Sequence, residues 1–223
     1  MGHIGDNMPK ETFLNLSDDK RRHIENVAIK EFASQGFDKA SINVIVKNSG
    51  IAKGSFYQYF DDKKDLFFHL LISVVMEKKL KYMAPLFKDN ENYDFFTLIK
   101  EMFIAGLNFA RENPDLDKIA LWLNKNTNHS VYKELIKKTG NVSSNIYEKL
   151  LKKGQLSGDI KSNIDISYYG YILQALITST MDYCLENSRK ANIDGISDLS
   201  FDMTEKVDLM IEFLKEGIGN NNK

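Results

Sequence analysis

A chain of 223 residues, 43% hydrophobic and 27% charged, has enough core-forming side chains to fold without metals or disulfides, which excludes an intrinsically disordered polypeptide. Its single cysteine, Cys184, excludes an internal disulfide framework and fits a reducing compartment. A net charge of -1 provides no global attraction for a polyanion, so any nucleic-acid partner must be met by a local field.

The N-terminal stretch "MGHIGDNMPKETFLNLSDDKRR" lacks the apolar core of a signal peptide. Nowhere does an apolar run reach the ~18 residues that span a bilayer. A cytoplasmic location with no membrane partner is expected, and residues 1–16 are expected to be mobile. From about Asp18 to Gln35 the residues Ile24, Val27, Ala28 and Phe32 form one apolar stripe, closed by Gly36 as a left-handed cap. Ser41 offers an N-cap for a short helix whose Ile42, Ile45 and Val46 face one way. A very short helix follows from Lys53 to about Phe60. Asp62 then caps the next, and Asp65 stands in for a capping-box glutamate.

Longer helices are predicted near 63–84, 93–111, 115–127, 130–154, 165–190 and 203–216. Pro85 and Pro114 are read as breaks between periodic segments. No alternating apolar pattern lasts long enough for a sheet. The fold class is therefore all-α, with about nine helices. Composition shifts near residue 66, from short helices with tight turns to long ones rich in Leu, Ile, Phe, Tyr and Met. A small module at 17–66 and a larger helical domain at 67–223 are expected.

Within the first module, Ile42 to Ser49, the turn at "GIA", and Lys53 to Phe60 make a helix-turn-helix pattern. On a helical wheel Phe56 and Phe60 share one side, with Tyr57 at its border. Gly54, Ser55, Gln58 and Tyr59 fall on the other. The first side can anchor on the preceding helices. The second has the small, hydroxyl- and amide-bearing character that a helix entering a major groove needs. Gly54 permits close approach to a backbone, and Lys53 and Lys63 add charge beside backbone N–H groups that favour phosphate. From Lys39 to Lys64, five lysines oppose Asp61 and Asp62, for a local +3.

The order of residues in "FASQGFDKASINVIVKNSGIAKGSFYQYFDDKKDLF" resembles the N-terminal domain of the TetR family, the tetracycline-repressor-like transcriptional regulators. "KGSFYQYFDDKKDLF" is its most specific portion, and the resemblance covers roughly residues 20–70. It implies a homodimer that binds a palindromic double-stranded DNA operator, usually as a repressor, and is released by a small molecule in the C-terminal domain. Carried onto this chain, it implies that Lys53, Ser55 and Gln58 read base edges, and that Ser41, Tyr57, Tyr59 and Lys63 hold phosphates. Ala52 departs from the Ser or Thr often found before the recognition helix. An alanine N-cap forgoes about 0.5–2 kcal/mol relative to serine.

The helix at 165–190 is apolar on more than one face. That at 203–216 carries Met203, Val207, Met210, Ile211 and Leu214 at three- and four-residue spacing. Such a pair can pack on its symmetry mate as a four-helix bundle, the arrangement the resemblance also implies. Intramolecular core would produce the same stripes. Candidate effector-lining residues are Phe103, Leu107, Phe109, Trp122, Tyr147, Tyr171 and Gln174, with Gly106 opening space beside Phe103. These include neither an acidic nor a basic cluster, so a largely apolar, neutral or weakly polar effector is expected.

Enzymatic readings find little support. His3, His23, His69 and His129 fall at no metal-ligand spacing, Cys184 sits in an apolar stripe, and no phosphate-binding glycine loop or nucleophile elbow occurs. No cofactor, metal or catalytic residue is expected. The readings weighed against the regulator are a small-molecule sensor or carrier with vestigial DNA binding, and an all-helical enzyme.

Overall fold

The structure is a computed structural model and describes residues 9–88, 93–139, 142–190 and 199–220. Its helices are α1 (Glu11–Leu14), α2 (Asp18–Lys39), α3 (Ile42–Asn48), α4 (Lys53–Tyr59), α5 (Lys63–His69), α6 (Met76–Lys88), α7 (Phe95–Glu112), α8 (Pro114–Lys125), α9 (Ser130–Thr139), α10 (Val142–Leu156), α11 (Ile166–Lys190) and α12 (Leu199–Ile218). A π-helical stretch, Leu70–Val75, joins α5 to α6. Among the described residues the only β pairing is an isolated bridge between Ile160 and Gly219, and no helix is long and apolar enough to cross a membrane. The protein is all-α.

Asp18 and Asp19 in the first turn of α2 complement its N-terminal dipole and are held by Arg21 and Arg22 respectively. Ile24, Ala28, Ile29 and Phe32 supply its buried stripe. The expected stop at Gly36 is present: its φ is +69°, and a short helical piece continues past the kink to Lys39. A side chain at Gly36 would also meet Trp122, whose Nε1 lies 2.8 Å from the Cβ position. α3 closes in a Schellman motif. Ile51 N–H donates to the Val46 carbonyl at 3.2 Å and Gly50 N–H to that of Lys47 at 3.3 Å, with Gly50 at φ +65°.

Asp62 caps α5 by accepting from Asp65 N–H at 2.8 Å, and the Asp65 carboxylate accepts from Asp61 N–H at 3.0 Å. The capping box forms with its return bond one residue earlier than the standard pattern. Burial raises the Asp65 carboxyl above its ordinary pKa, against the lowering effect of that backbone bond. Pro85 does not break its helix as the sequence suggests. It lies inside α6, near the C-terminal end, where the missing N–H removes one bond while the flanking turns persist. Pro114 does begin a helix, at the first turn of α8.

The segment 1–16, expected to be mobile, is a helical turn from Glu11 to Leu14 over its described part. The reason is Phe13, which is fully buried. Residues 1–8 lie outside the described residues.

Two compact units emerge, one of residues 1–81 and 112–140, the other of 82–111 and 141–223. In the first, α8 packs on α2 and buries Leu116, Ile119, Ala120 and Leu123. An aromatic group of Phe32, Phe37, Phe67, Trp122 and His129 fills the same unit. In the second, α10 packs on α11 and α11 on α12. Phe95, Ile99, Phe103, Leu151, Leu173, Val207 and Leu214 form the centre of its core.

Candidate nucleic-acid interface

The helix-turn-helix is built from α2, α3 and α4. Phe56 and Phe60 are fully buried, and Ile45 and Val46 of α3 are buried beside them in the same module. This inner face leaves the opposite side of α4 open. Ala52, Lys53, Gly54, Tyr57 and Gln58 are exposed, and Ser55 is half-buried. Tyr57 stands 45% exposed, edge-on to the Phe56 ring at 5.3 Å. Gly54 has open space around its Cβ position. Ala52 provides no side-chain cap, as the sequence indicates.

Three expected contacts are placed differently. Tyr59 does not face outward: it is 7% exposed and packs on Phe13 with ring centroids 5.7 Å apart. The helical wheel puts it on the outer side with Gln58, but Phe13 of the N-terminal segment covers it there. Lys63 is half-buried, its Nζ donating to the carbonyls of Asp38 and Ala40, each at 3.0 Å, and lying 4.7 Å over the Phe37 ring. Its ammonium therefore ties α5 to the end of α2. Ser41 is half-buried; its hydroxyl makes no cap bond, and its N–H donates instead to the Glu31 carboxylate at 2.9 Å.

On the open side the charge is cationic. Lys47 and Lys53 are exposed, whereas Lys64 pairs with Glu134 at 2.8 Å, a hydrogen bond that raises the lysine pKa. Asn43, Val44 and Asn48 of α3 are also exposed. The sequence reading counts Lys47 in the local charge but gives it no contact. Its place on the α3 surface, and that of Asn43 and Asn48, follows from Ile45 and Val46 pointing inward.

The family model for "Bacterial regulatory proteins, tetR family" matches residues 24–70, the span from α2 through α5 that carries this face. A TetR family transcriptional regulator from Chloroflexus aurantiacus superposes with a TM-score of 0.70 at 27% identity, over 95% of this chain and 99% of that one. Residues 24–70 are a TetR-family module.

Two curated relatives agree with that placement. A transcriptional regulator of the helix-turn-helix type from Shigella flexneri, AcrR, is 39% identical over 67 residues. That match spans only 29% of this chain and 31% of the relative. The fatty acid metabolism regulator protein of Bacillus subtilis is 23% identical over 220 residues, 90% of this chain and 96% of that protein.

The candidate effector residues divide between the two units. Phe103 and Phe109 are buried in the second unit. Leu107 and Tyr147 are half-buried, packed against its core, and burial raises the Tyr147 phenol pKa. Gln174 is half-buried on α11. Tyr171 is 70% exposed, because α11 buries Leu173 and turns Tyr171 to solvent. Trp122 belongs to the first unit, where it packs on Phe37 and Phe67. Beside Gly106, a Cβ would rest in ordinary van der Waals contact with the Met181 methyl, at 3.5 Å. A groove of about 570 Å³ runs between α7 and α12, lined by Phe96, Thr97, Lys100, Glu101, Asp208, Ile211, Glu212 and Lys215. Its lining is charged, and it includes none of the expected residues.

Proposed function

We propose that this protein is a ligand-responsive transcriptional regulator that binds a palindromic operator as a homodimer, acts in the cytoplasm as a repressor, and releases DNA when a small, largely apolar molecule occupies the second unit. One observation carries the reading: α4 buries Phe56 and Phe60 while presenting Lys53, Gly54, Tyr57 and Gln58 to solvent. A merely structural helix has no need of a glycine, an amide and a lysine on its open face. The match of residues 24–70 to the tetR family model supports the same assignment.

In this reading Lys53, Ser55 and Gln58 reach base edges, and Tyr57 and Ser41 reach phosphates. Tyr59 and Lys63 act indirectly, by holding α4 and α5 in place. Dimerisation through α11 and α12 is supported by their exposed apolar side chains, among them Tyr171, Tyr183, Leu209 and Phe213, since such groups on neighbouring helices favour a partner. The apolar core around Phe103, Leu107 and Tyr147 favours an apolar effector over a highly charged one. No catalytic role is assigned to any residue.

The test is a gel shift on the upstream region of the protein's own gene, with and without candidate effectors. A retarded dimer complex, weakened by added salt and dissolved by a fatty acid, is the expected result. No shift at low salt on any palindrome of that region would overturn the regulator in favour of a carrier. Release only by a polyanionic thioester would overturn the apolar effector.

A further inference from the structure

We infer that the segment Lys10–Phe13 is a clamp that positions the recognition helix α4, an inference that rests on α4 being the DNA-reading element. An α-helix leaves its last four carbonyls without intrahelical partners. Here Phe60 N–H returns to the Phe56 carbonyl at 2.9 Å, and residues 10 and 12 serve the other three. Lys10 Nζ donates to the Tyr57 carbonyl at 2.9 Å, the Thr12 hydroxyl donates to that of Gln58, and Lys10 N–H donates to that of Tyr59 at 3.0 Å.

The Lys10 ammonium also pairs with Asp61 at 2.5 Å, and its charge lies at the negative end of the α4 dipole. Phe13 pins the clamp from below. It is fully buried, with its ring 4.8 Å from Phe60, 5.7 Å from Tyr59 and 5.3 Å from His69.

Such a clamp has a purpose here. α4 is 7 residues long and has no side-chain N-cap, and a helix that short does not hold itself together in water. Fixing its C-terminal turn sets the angle at which Tyr57 and Gln58 are presented. The family match begins at residue 24, so the clamp lies outside the shared module. Lys10 and Thr12 are thus positioning residues, acting on DNA through the backbone that carries Tyr57 and Gln58.

The test uses full-length Thr12→Val, Lys10→Met and the double variant, with Thr12→Ser and Lys10→Arg as conservative controls. Thr12 is exposed, so its near-isosteric change leaves folding intact. Hydrogen exchange of residues 56–62 in the free protein should speed up about tenfold in the double variant and return to wild type in the conservative ones. Affinity for a palindromic duplex enriched by the wild-type protein from a random pool should fall about tenfold, with unrelated duplex unchanged and the salt slope unaltered. Unchanged exchange would overturn the clamp. A salt slope reduced by about one, with equal loss on both duplexes, would make Lys10 a direct phosphate contact and also overturn it. If the wild type enriches no duplex, the DNA-reading assignment fails, and the exchange measurement still decides the clamp.

Discussion

Gln58 and Lys63, five positions apart, divide between them the side chains that meet DNA and those that hold the helices that do. Gln58 is exposed on α4, and Gln58→Ala should change the preferred operator sequence more than the affinity for random DNA. Selection of binding sites from a random pool by both proteins checks this, and identical consensus sequences would count against it. Lys63 is bound to two carbonyls at the end of α2. Lys63→Met should therefore lower folding stability by about 1–2 kcal/mol, as expected for hydrogen bonds from a charged donor in a half-buried site. Urea unfolding measures it directly. At this scale the sequence is half legible. Periodicity places Phe56 and Phe60 inward but turns Tyr59 outward, and the burial of that ring is decided by Phe13, far away in the chain. Nor can spacing show that an ammonium expected on phosphate is already engaged by carbonyls.

At the scale of elements, the two left-handed glycines of the DNA-binding module should respond differently. Gly36→Ala meets both an unfavourable backbone conformation and the Trp122 ring at 2.8 Å. Gly50→Ala meets only the backbone cost, since nothing lies within 4 Å of its Cβ position. The expected losses are ~2–4 kcal/mol and ~1 kcal/mol respectively, read from chemical denaturation. Helix ends set by local chemistry are well written in the sequence: Gly36, Gly50, Asp62 and Pro114 all mark real boundaries. Of the nine expected helices, 63–84 is interrupted by the π-helical stretch, and 130–154 contains α9 and most of α10, with 140–141 outside the described residues. The short α1 is invisible to periodicity, because it is one turn long and exists through its contacts with α4.

For the whole molecule, the exposed apolar side chains of α12 provide the sharpest test of the proposed assembly. Leu209 is 52% and Phe213 65% exposed, four residues apart and so on one face. The double change Leu209→Glu and Phe213→Glu should convert the dimer to a monomer in light scattering without unfolding the chain, because neither side chain is core. DNA affinity should fall with it, since a single recognition helix reads only half a palindrome. A variant that remained dimeric would move the interface elsewhere. The site of the effector is the least legible feature. Its residues are ordinary core types, and only their packing separates Phe103 in one unit from Trp122 in the other.

The π-helical stretch from Leu70 to Val75 has a consequence for the chain's ancestry and its engineering. Such a turn is what an α-helix becomes when one residue is inserted and the flanking phase is kept. Removing Ser73, the exposed residue of the stretch, should let the backbone close into an uninterrupted α-helix with Leu66 and Leu80 still on their present faces. The shortened chain would be more resistant to heat, and its loss or retention of effector response would tell whether the extra residue is a relic or a hinge.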